Sequence, residues 1–288
     1  MKYAYYPGCS LEASAIEYDA SARAIFRALG SELVEIPDWN CCGSSPAQAT
    51  DYLLSLALPA RNLALAEAMG LDTVVAPCSA CYTTLYRAEE HCRQDPELKA
   101  HVTEILAAAN LEYEGKVRVR HLLDVVANDF TPEEIQSRVK RSLKGLKVVP
   151  YYGCQTVRPF LAYDAPDQPM TMDRVLAALG AEVMPYHLKT RCCSGINITS
   201  SKDVGIKLVS DLLVAAEGAD CIATVCPLCQ MNLDSYQRDV SRHLGREIKI
   251  PVIYLTQLMG LAFDLPDKDV LLSKNISPQQ PVLDRLGI

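Results

Sequence analysis

The chain has no apolar run near the roughly 20 residues that a membrane-spanning helix needs; apolar stretches such as 53–58 and 252–258 stop well short. Clusters of basic residues are missing as well. Its 28 Lys and Arg face 35 Asp and Glu, for a net charge of -7, which argues against nucleic acid or an anionic membrane surface as main partner. The opening Met1-Lys2-Tyr3-Ala4-Tyr5-Tyr6 shows neither the long apolar core nor the small-residue cleavage site of a secretory signal, so a reducing, cytosolic setting is expected. There is no G-x-x-x-x-G-K-S/T, no G-x-G-x-x-G and no H-E-x-x-H, hence no argument for nucleotide phosphates or a hydrolytic zinc. The compact Cys-x-x-Cys-x-x-Cys run is also absent, so electrons would have to come from another chain.

Cysteine is what the chain has in plenty: twelve residues, ten of them in one pattern written twice. The first set is Cys9, Cys41-Cys42 and Cys78-x-x-Cys81; the second is Cys154, Cys192-Cys193 and Cys226-x-x-Cys229. The intervals match, with 31 and 37 residues between the lone cysteine and the doublet, then 35 and 32 before Cys-x-x-Cys. Adjacent cysteines pair poorly, because a trans peptide holds their Cα atoms about 3.8 Å apart where a disulfide needs roughly 4.4 to 6.8 Å. As thiolates about 4 Å apart they would repel by about 4 kcal/mol at an effective dielectric near 20, so a cation between them is expected. Five thiols per set is one more than a tetrahedral zinc or a cubane cluster uses.

The remaining pattern repeats around these sets. Strands are expected at 2–6, 32–36, 73–76 and 117–120, with helices at 11–29, 46–69 (kinked near Pro59) and 122–127. The second half reads likewise: strands at 147–152, 182–186, 222–225 and 251–255, helices at 171–179 and 202–217, then a final helix. Tyr5-Tyr6-Pro7-Gly8-Cys9 matches Tyr151-Tyr152-Gly153-Cys154, and Val75-Ala76-Pro77-Cys78 matches Ala223-Thr224-Val225-Cys226. The chain is therefore expected to be an internal duplication in the α/β class: two tandem Rossmann-like domains, each a mostly parallel sheet flanked by helices. The boundaries are 1–145 for the first domain, 146–267 for the second, and 268–288 for a tail that wraps a partner or its own surface. Every motif cysteine follows a strand, and ligands of such sheets bind beyond the strands' carboxyl ends, so each set converges on one rim.

These residues resemble HdrB, the catalytic component of heterodisulfide reductase, built from two cysteine-rich CCG domains; the resemblance covers about residues 2–263. It implies a noncubane [4Fe-4S] cluster in each half, fused [3Fe-4S] and [2Fe-2S] parts sharing an iron and a sulfur. Cys9, Cys41, Cys42, Cys78 and Cys81 would bind one cluster; Cys154, Cys192, Cys193, Cys226 and Cys229 the other. It further implies reductive cleavage of a small-molecule disulfide, of the coenzyme M–coenzyme B type or an analogous one, between two clusters. Electrons would arrive from a ferredoxin-like HdrC-type subunit, itself fed by a flavin-containing HdrA-type subunit. The second half departs from the family's motif, reading Cys192-Cys193-Ser194-Gly195 against Cys41-Cys42-Gly43-Ser44, which leaves the loop geometry there open. CCG domains also occur in iron–sulfur subunits of flavin-linked glycolate, lactate and succinate oxidoreductases, where such a chain relays electrons. Those proteins often carry appended ferredoxin motifs, absent here. A noncatalytic zinc scaffold is a third reading.

Fewer signals attach to the other residues. His187, Lys189 and Arg191 crowd before Cys192; His187 and Lys189 are catalytic candidates as proton donors to a leaving thiolate, and a solvated loop would look the same. Trp39 could shield a cluster or simply pack. His121 opens a helix at a strand end, opposite Tyr254 in the repeat, with capping or packing as its default. Cys92 and Cys221 lie outside the motifs, Cys221 as a small buried hydrophobe.

Overall fold

The computed structural model describes residues 1–288. Eight strands form two four-stranded sheets: β1 (Lys2–Tyr5), β2 (Glu32–Glu35), β3 (Thr73–Ala76) and β4 (Arg118–His121), then β5 (Lys147–Tyr151), β6 (Glu182–Val183), β7 (Cys221–Thr224) and β8 (Val252–Tyr254). The orders are β2-β1-β3-β4 and β6-β5-β7-β8, every pairing parallel. Each sheet therefore reverses its winding between β1 and β3, or β5 and β7, the crevice where doubly wound sheets bind ligands. Strands such as Thr73–Ala76 are short, β-branched and buried, as all-parallel sheets covered on both faces require.

The halves pack through helices. Helix Ile16–Ala28 lies against Leu255–Ala262, and Leu122–Asn128 against Thr171–Ala178, so in each half the helix between the first two strands packs on the helix that follows the last strand of the other, about a pseudo-two-fold axis. Across this join Tyr18 stacks on Tyr254 with ring centroids 4.1 Å apart, while within the first half Phe26 meets Tyr3 and Phe130 edge-on. No helix is long and apolar enough to cross a membrane.

Several boundaries differ from the sequence reading, each for a local reason. The helix expected over 11–29 is two, Cys9–Glu12 and Ile16–Ala28. The one expected over 46–69 breaks at 51–53 into Ser44–Thr50 and Leu54–Ala68, where the Asp51 carboxylate accepts the Leu54 N–H at 2.7 Å. Pro59 lies within the second of these, and Arg87 donates to the Ser55 carbonyl that the proline leaves without its helical donor. The strand expected over 182–186 stops at Val183, because Pro150, at Tyr5's place in the repeat, has no N–H to continue the β5–β6 ladder. Residues 268–288 wrap their own chain: the Ile276 and Ser277 N–H groups donate to Asp234 at 2.8 and 3.0 Å, and Arg285 pairs with Asp220.

Candidate metal centres

Each cysteine set gathers at the carboxyl ends of its sheet. Cys9 follows β1, the Cys41-Cys42 doublet follows β2, and Cys78 caps helix Ser79–Gln94 after β3. The second half repeats this, with Cys226 capping helix Pro227–Ser235. The lone cysteines need the glycines before them: Gly8 has φ +73° and Gly153 φ +75°, and a Cβ there would lie 2.9 Å from Cys81 Sγ and 2.7 Å from Cys229 Sγ. Each glycine thus lets backbone pass directly over a sulfur.

Tyr6 and Tyr151 hold the doublets from inside, donating to the carbonyls of Asn40 at 2.9 Å and Arg191 at 2.7 Å, the residues just before Cys41 and Cys192. After the doublets the chain turns into a left-handed residue, Gly43 at φ 82°, ψ -19° and Ser194 at φ 77°, ψ -22°. The displaced glycine therefore leaves the turn unchanged, with Ser194 adopting a conformation that serine resists.

Sulfur meets donors throughout. Cys42 and Cys81 Sγ are 3.6 Å apart and Cys193 and Cys229 Sγ 3.7 Å. Two thiolates on one tetrahedral metal, with bonds near 2.3 Å, would be about 3.75 Å apart. Backbone N–H groups of Gly43, Ser44 and Cys81 donate to the sulfurs of Cys41, Cys42 and Cys78, matched by Ser194, Gly195 and Cys229 for Cys192, Cys193 and Cys226. Hydrogen bonding from Cys41, then Cys81, pulls the Cys42 thiol down to about 3, while Cys41 is pushed up as the donor. Cys154 likewise lowers Cys192 to about 6, assisted by Arg191. A set in which some thiols are readily ionised and others buried beside them calls for a cation at its centre. Five sulfurs per set, one more than a tetrahedral zinc uses, fit a multinuclear iron–sulfur cluster better than a single zinc.

The sites abut. Buried Cys78 and Cys226 lie near enough across the join for each to shift the other's thiol, Cys78 upward and Cys226 downward. Tyr18 donates between the carbonyls of Val225 (3.1 Å) and Pro77 (3.2 Å), the residues just before Cys226 and Cys78. Thr83 donates to the Gln155 carbonyl at 2.9 Å, and Ser79 Oγ lies 2.7 Å from Thr156 Oγ1.

The two catalytic candidates do not join the sulfurs. Lys189 is buried, its Nζ 2.6 Å from Asp173 and 2.8 Å from the Pro169 carbonyl. His187 lines a separate cleft of about 540 Å³ with Met170, Asp173 and Arg174. Arg191 does reach the rim: with Arg158, Thr190, Cys154 and Cys192 it lines a cleft of about 410 Å³. Trp39 packs edge-on against Tyr6 and donates to Glu35. His121 caps helix Leu122–Asn128, its Nδ1 accepting the Leu123 N–H. Cys92 and Cys221 are buried away from both sets. Sequence reasoning missed Tyr18, Ser79, Thr156 and Arg158. Only the Tyr at three residues before Cys9 and Cys154 left a readable trace.

Comparison with known proteins gives the same picture. The CCG cysteine-rich domain matches twice, at residues 3–86 and 148–234. A protein named 8-methylmenaquinol:fumarate reductase membrane anchor subunit, from Wolinella succinogenes, is 39% identical over 96% of both chains. An HdrB-like heterodisulfide reductase protein of Archaeoglobus profundus is 31% identical over 99% of this chain and 98% of its own. The HdrB component of a CoB–CoM heterodisulfide reductase from Methanosarcina acetivorans is 28% identical over 95% and 93%. Among solved structures, a hypothetical protein from Helicobacter pylori shares the fold at TM-score 0.77 and 15% identity; it is matched over 96% of this chain, which spans 52% of that one. With two matched repeats and full-length relatives, the chain belongs to the CCG cysteine-rich family as a duplicated, HdrB-like member.

Proposed function

We propose that the chain binds one iron–sulfur cluster in each half, on the ten motif cysteines, and serves as the electron-carrying subunit of a larger oxidoreductase. The observation that carries this is the meeting of the two sites, where the Tyr18 hydroxyl donates to the carbonyls just before both Cys78 and Cys226. Centres held on either side of that junction would have no thick insulating layer between them. When bound, such clusters supply one-electron carriers. The protein's part is to aim N–H groups at the sulfurs, exclude water with Tyr6, Tyr18 and Tyr151, and keep both sites in one rigid unit.

The likeness at 39% identity supports membership of a fumarate reductase-type complex, in which this chain relays electrons between a quinol-side donor and a flavin-bearing partner. A specific observation favours a second reading, reductive cleavage of a small anionic disulfide. The cleft at Cys154 and Cys192 is open to solvent and carries Arg158 and Arg191. Electrons would then come from ferredoxin-like and flavin-bearing partners.

Anaerobic purification from the source cells with iron and sulfide counting tests the common core. About eight irons per chain, as for two four-iron clusters, are expected, and about four would reject it. A flavoprotein that co-purifies and turns over fumarate or succinate supports the first reading. Viologen-driven turnover of disulfides by the isolated chain would overturn it in favour of the second.

A further inference from the structure

The duplication preserves the sulfurs while changing the charge around them. Counting from the ligands, Glu12, Ala13, Asp38 and Asn40 in the first half correspond to Val157, Arg158, Lys189 and Arg191 in the second. At the first rim the carboxylates Glu12, Glu35 and Asp38 line a cleft beside Trp39. The nearby arginines are spent on two of these carboxylates, Arg61 on Asp38 (and the Asn40 side chain) and Arg23 on Glu35, which leaves Glu12 unpaired and no free cation at this rim. At the second rim Arg158 and Arg191 share the cleft with Cys154 and Cys192. Neither has a carboxylate partner, and Arg158 is steadied by the Thr190 carbonyl at 2.7 Å. Lys189 adds little, being paired with Asp173.

Hydrogen bonding differs in the same sense. Asn232, three residues after Cys229, donates its amide to the carbonyls of Cys193 and Gly195 and approaches Cys193 Sγ at 3.8 Å. Its counterpart after Cys81 is Thr84, whose hydroxyl donates to the Ala80 carbonyl at 2.8 Å and also lies beside Cys42, with one donor proton where the Asn232 amide has two. Cations and N–H donors near a cluster both favour its reduced form, which carries one more negative charge.

We propose that the two sites are ordered in potential, the second (Cys154, Cys192, Cys193, Cys226, Cys229) being the more readily reduced, with Arg191 its principal tuning residue. With clusters held by the two cysteine sets, an electron would pass from the first site to the second across the junction that Tyr18 bridges, one centre losing and the other gaining one electron with no proton moved. The cationic second rim is the end at which the pair delivers electrons onward. This rests on the two-cluster reading above.

The test is a redox titration of anaerobically purified whole protein, followed by electron paramagnetic resonance, with the signals assigned by Cys9→Ser and Cys154→Ser. The signal lost in Cys154→Ser should be the one that develops at the more positive potential. Arg191→Asn, an exposed change to the first repeat's residue, should lower that centre's reduced-to-oxidised ratio at a fixed potential by about three- to tenfold. The reciprocal Asn40→Arg should raise the ratio of the other. If Cys154→Ser fails to fold, Arg191→Asn still identifies the second centre as the one it moves. A second centre reduced last or together with the first, or an Arg191→Asn that moves neither or moves the low-potential signal, overturns the ordering. Wild-type protein without iron would instead overturn the cluster assignment, and the ordering with it.

Discussion

The hydroxyl oxygens of Ser79 and Thr156 lie 2.7 Å apart, joining the Cys78-x-x-Cys81 turn of one half to the segment behind Cys154 in the other. The direction of this chain of hydrogen bonds follows from its ends. His121 Nδ1 accepts the Leu123 N–H, so Nε2 carries the ring proton and donates to Ser79 at 3.2 Å. Burial pushes His121 down to about 4, which keeps the ring neutral at physiological pH. Thr156 donates to the Tyr152 carbonyl at 2.6 Å, so Ser79 must donate to Thr156. Thr156→Val leaves the Ser79 hydroxyl facing a methyl group and should cost about 1–3 kcal/mol in urea unfolding, whereas Thr156→Ser should recover most of it. Equal stability of the two variants would show that the order of donors does not matter.

Tyr18 makes a prediction about both sites at once. Its hydroxyl sits between the carbonyls before Cys78 and Cys226, while its ring stacks on Tyr254. Tyr18→Phe keeps the stack and removes the donor, at a cost of about 1–2 kcal/mol. Since both carbonyls lie against the pseudo-two-fold axis, the spectra of both centres should change. A change in one half only would mean that Tyr18 serves that half alone.

The gathering of ten cysteines at the strand ends, the alternation of strands and helices, and the duplication were legible because each is written in local spacing. What crosses between halves was not. Nothing near Thr156 in sequence announces Ser79, and the pairing exists only because two distant rims meet. Sequence matching set Tyr5-Tyr6 against Tyr151-Tyr152, yet the structure pairs Tyr6 with Tyr151, because the Gly-Cys step and not the tyrosine doublet governs register. His187 and Lys189 show the converse, closeness in sequence without closeness in space. They are near Cys192 along the chain, but Asp173 on helix Thr171–Ala178 draws Lys189 away from the sulfurs. Pro150 could have warned that β6 would be short, given its lack of an N–H.

Gly8 and Gly153 should be indispensable in proportion to the sulfur above them. An added Cβ would meet Cys81 or Cys229 Sγ below 3 Å, so Gly8→Ala and Gly153→Ala should each remove about half of the bound iron. Gly30 is the control, with φ +77° and nothing within 4 Å of an added Cβ. Gly30→Ala should cost about 1–2 kcal/mol through backbone strain alone and leave the iron in place. Iron loss in all three variants would point to general unfolding.

Ser194 and Gly43 should respond oppositely to exchange. Ser194→Gly relieves a left-handed serine and should stabilise by roughly 0.5–1 kcal/mol in thermal or urea unfolding. Gly43→Ser should destabilise by more than this gain, because its Cβ would lie 2.8 Å from Ala47 Cβ and 2.9 Å from Leu58 Cδ1. Matching losses in both variants would contradict the packing difference.

Glu17 sets a pH dependence of stability. Burial raises its carboxyl above the usual value of 4.5, the neighbouring Asp234 adds to this, and the Glu17 backbone N–H and Lys274 oppose it. Tyr254 also faces it. A carboxyl with a raised folded pKa binds its proton more tightly in the native state than in the unfolded one. Its contribution is therefore fully present below about pH 4.5 and is lost as the pH rises through the folded value. Asp234 is shifted in the same direction by burial, so the two slopes add. Glu17→Gln removes one of them, and the stability difference between variant and wild type should grow in favour of the variant from pH 4.5 towards 7. Urea midpoints measured on both proteins across that range isolate the effect, because any pH response of the cysteine sets is common to the two. A difference that stays flat, or that shrinks as pH rises, would show that Glu17 gains as much from its neighbours as burial takes away.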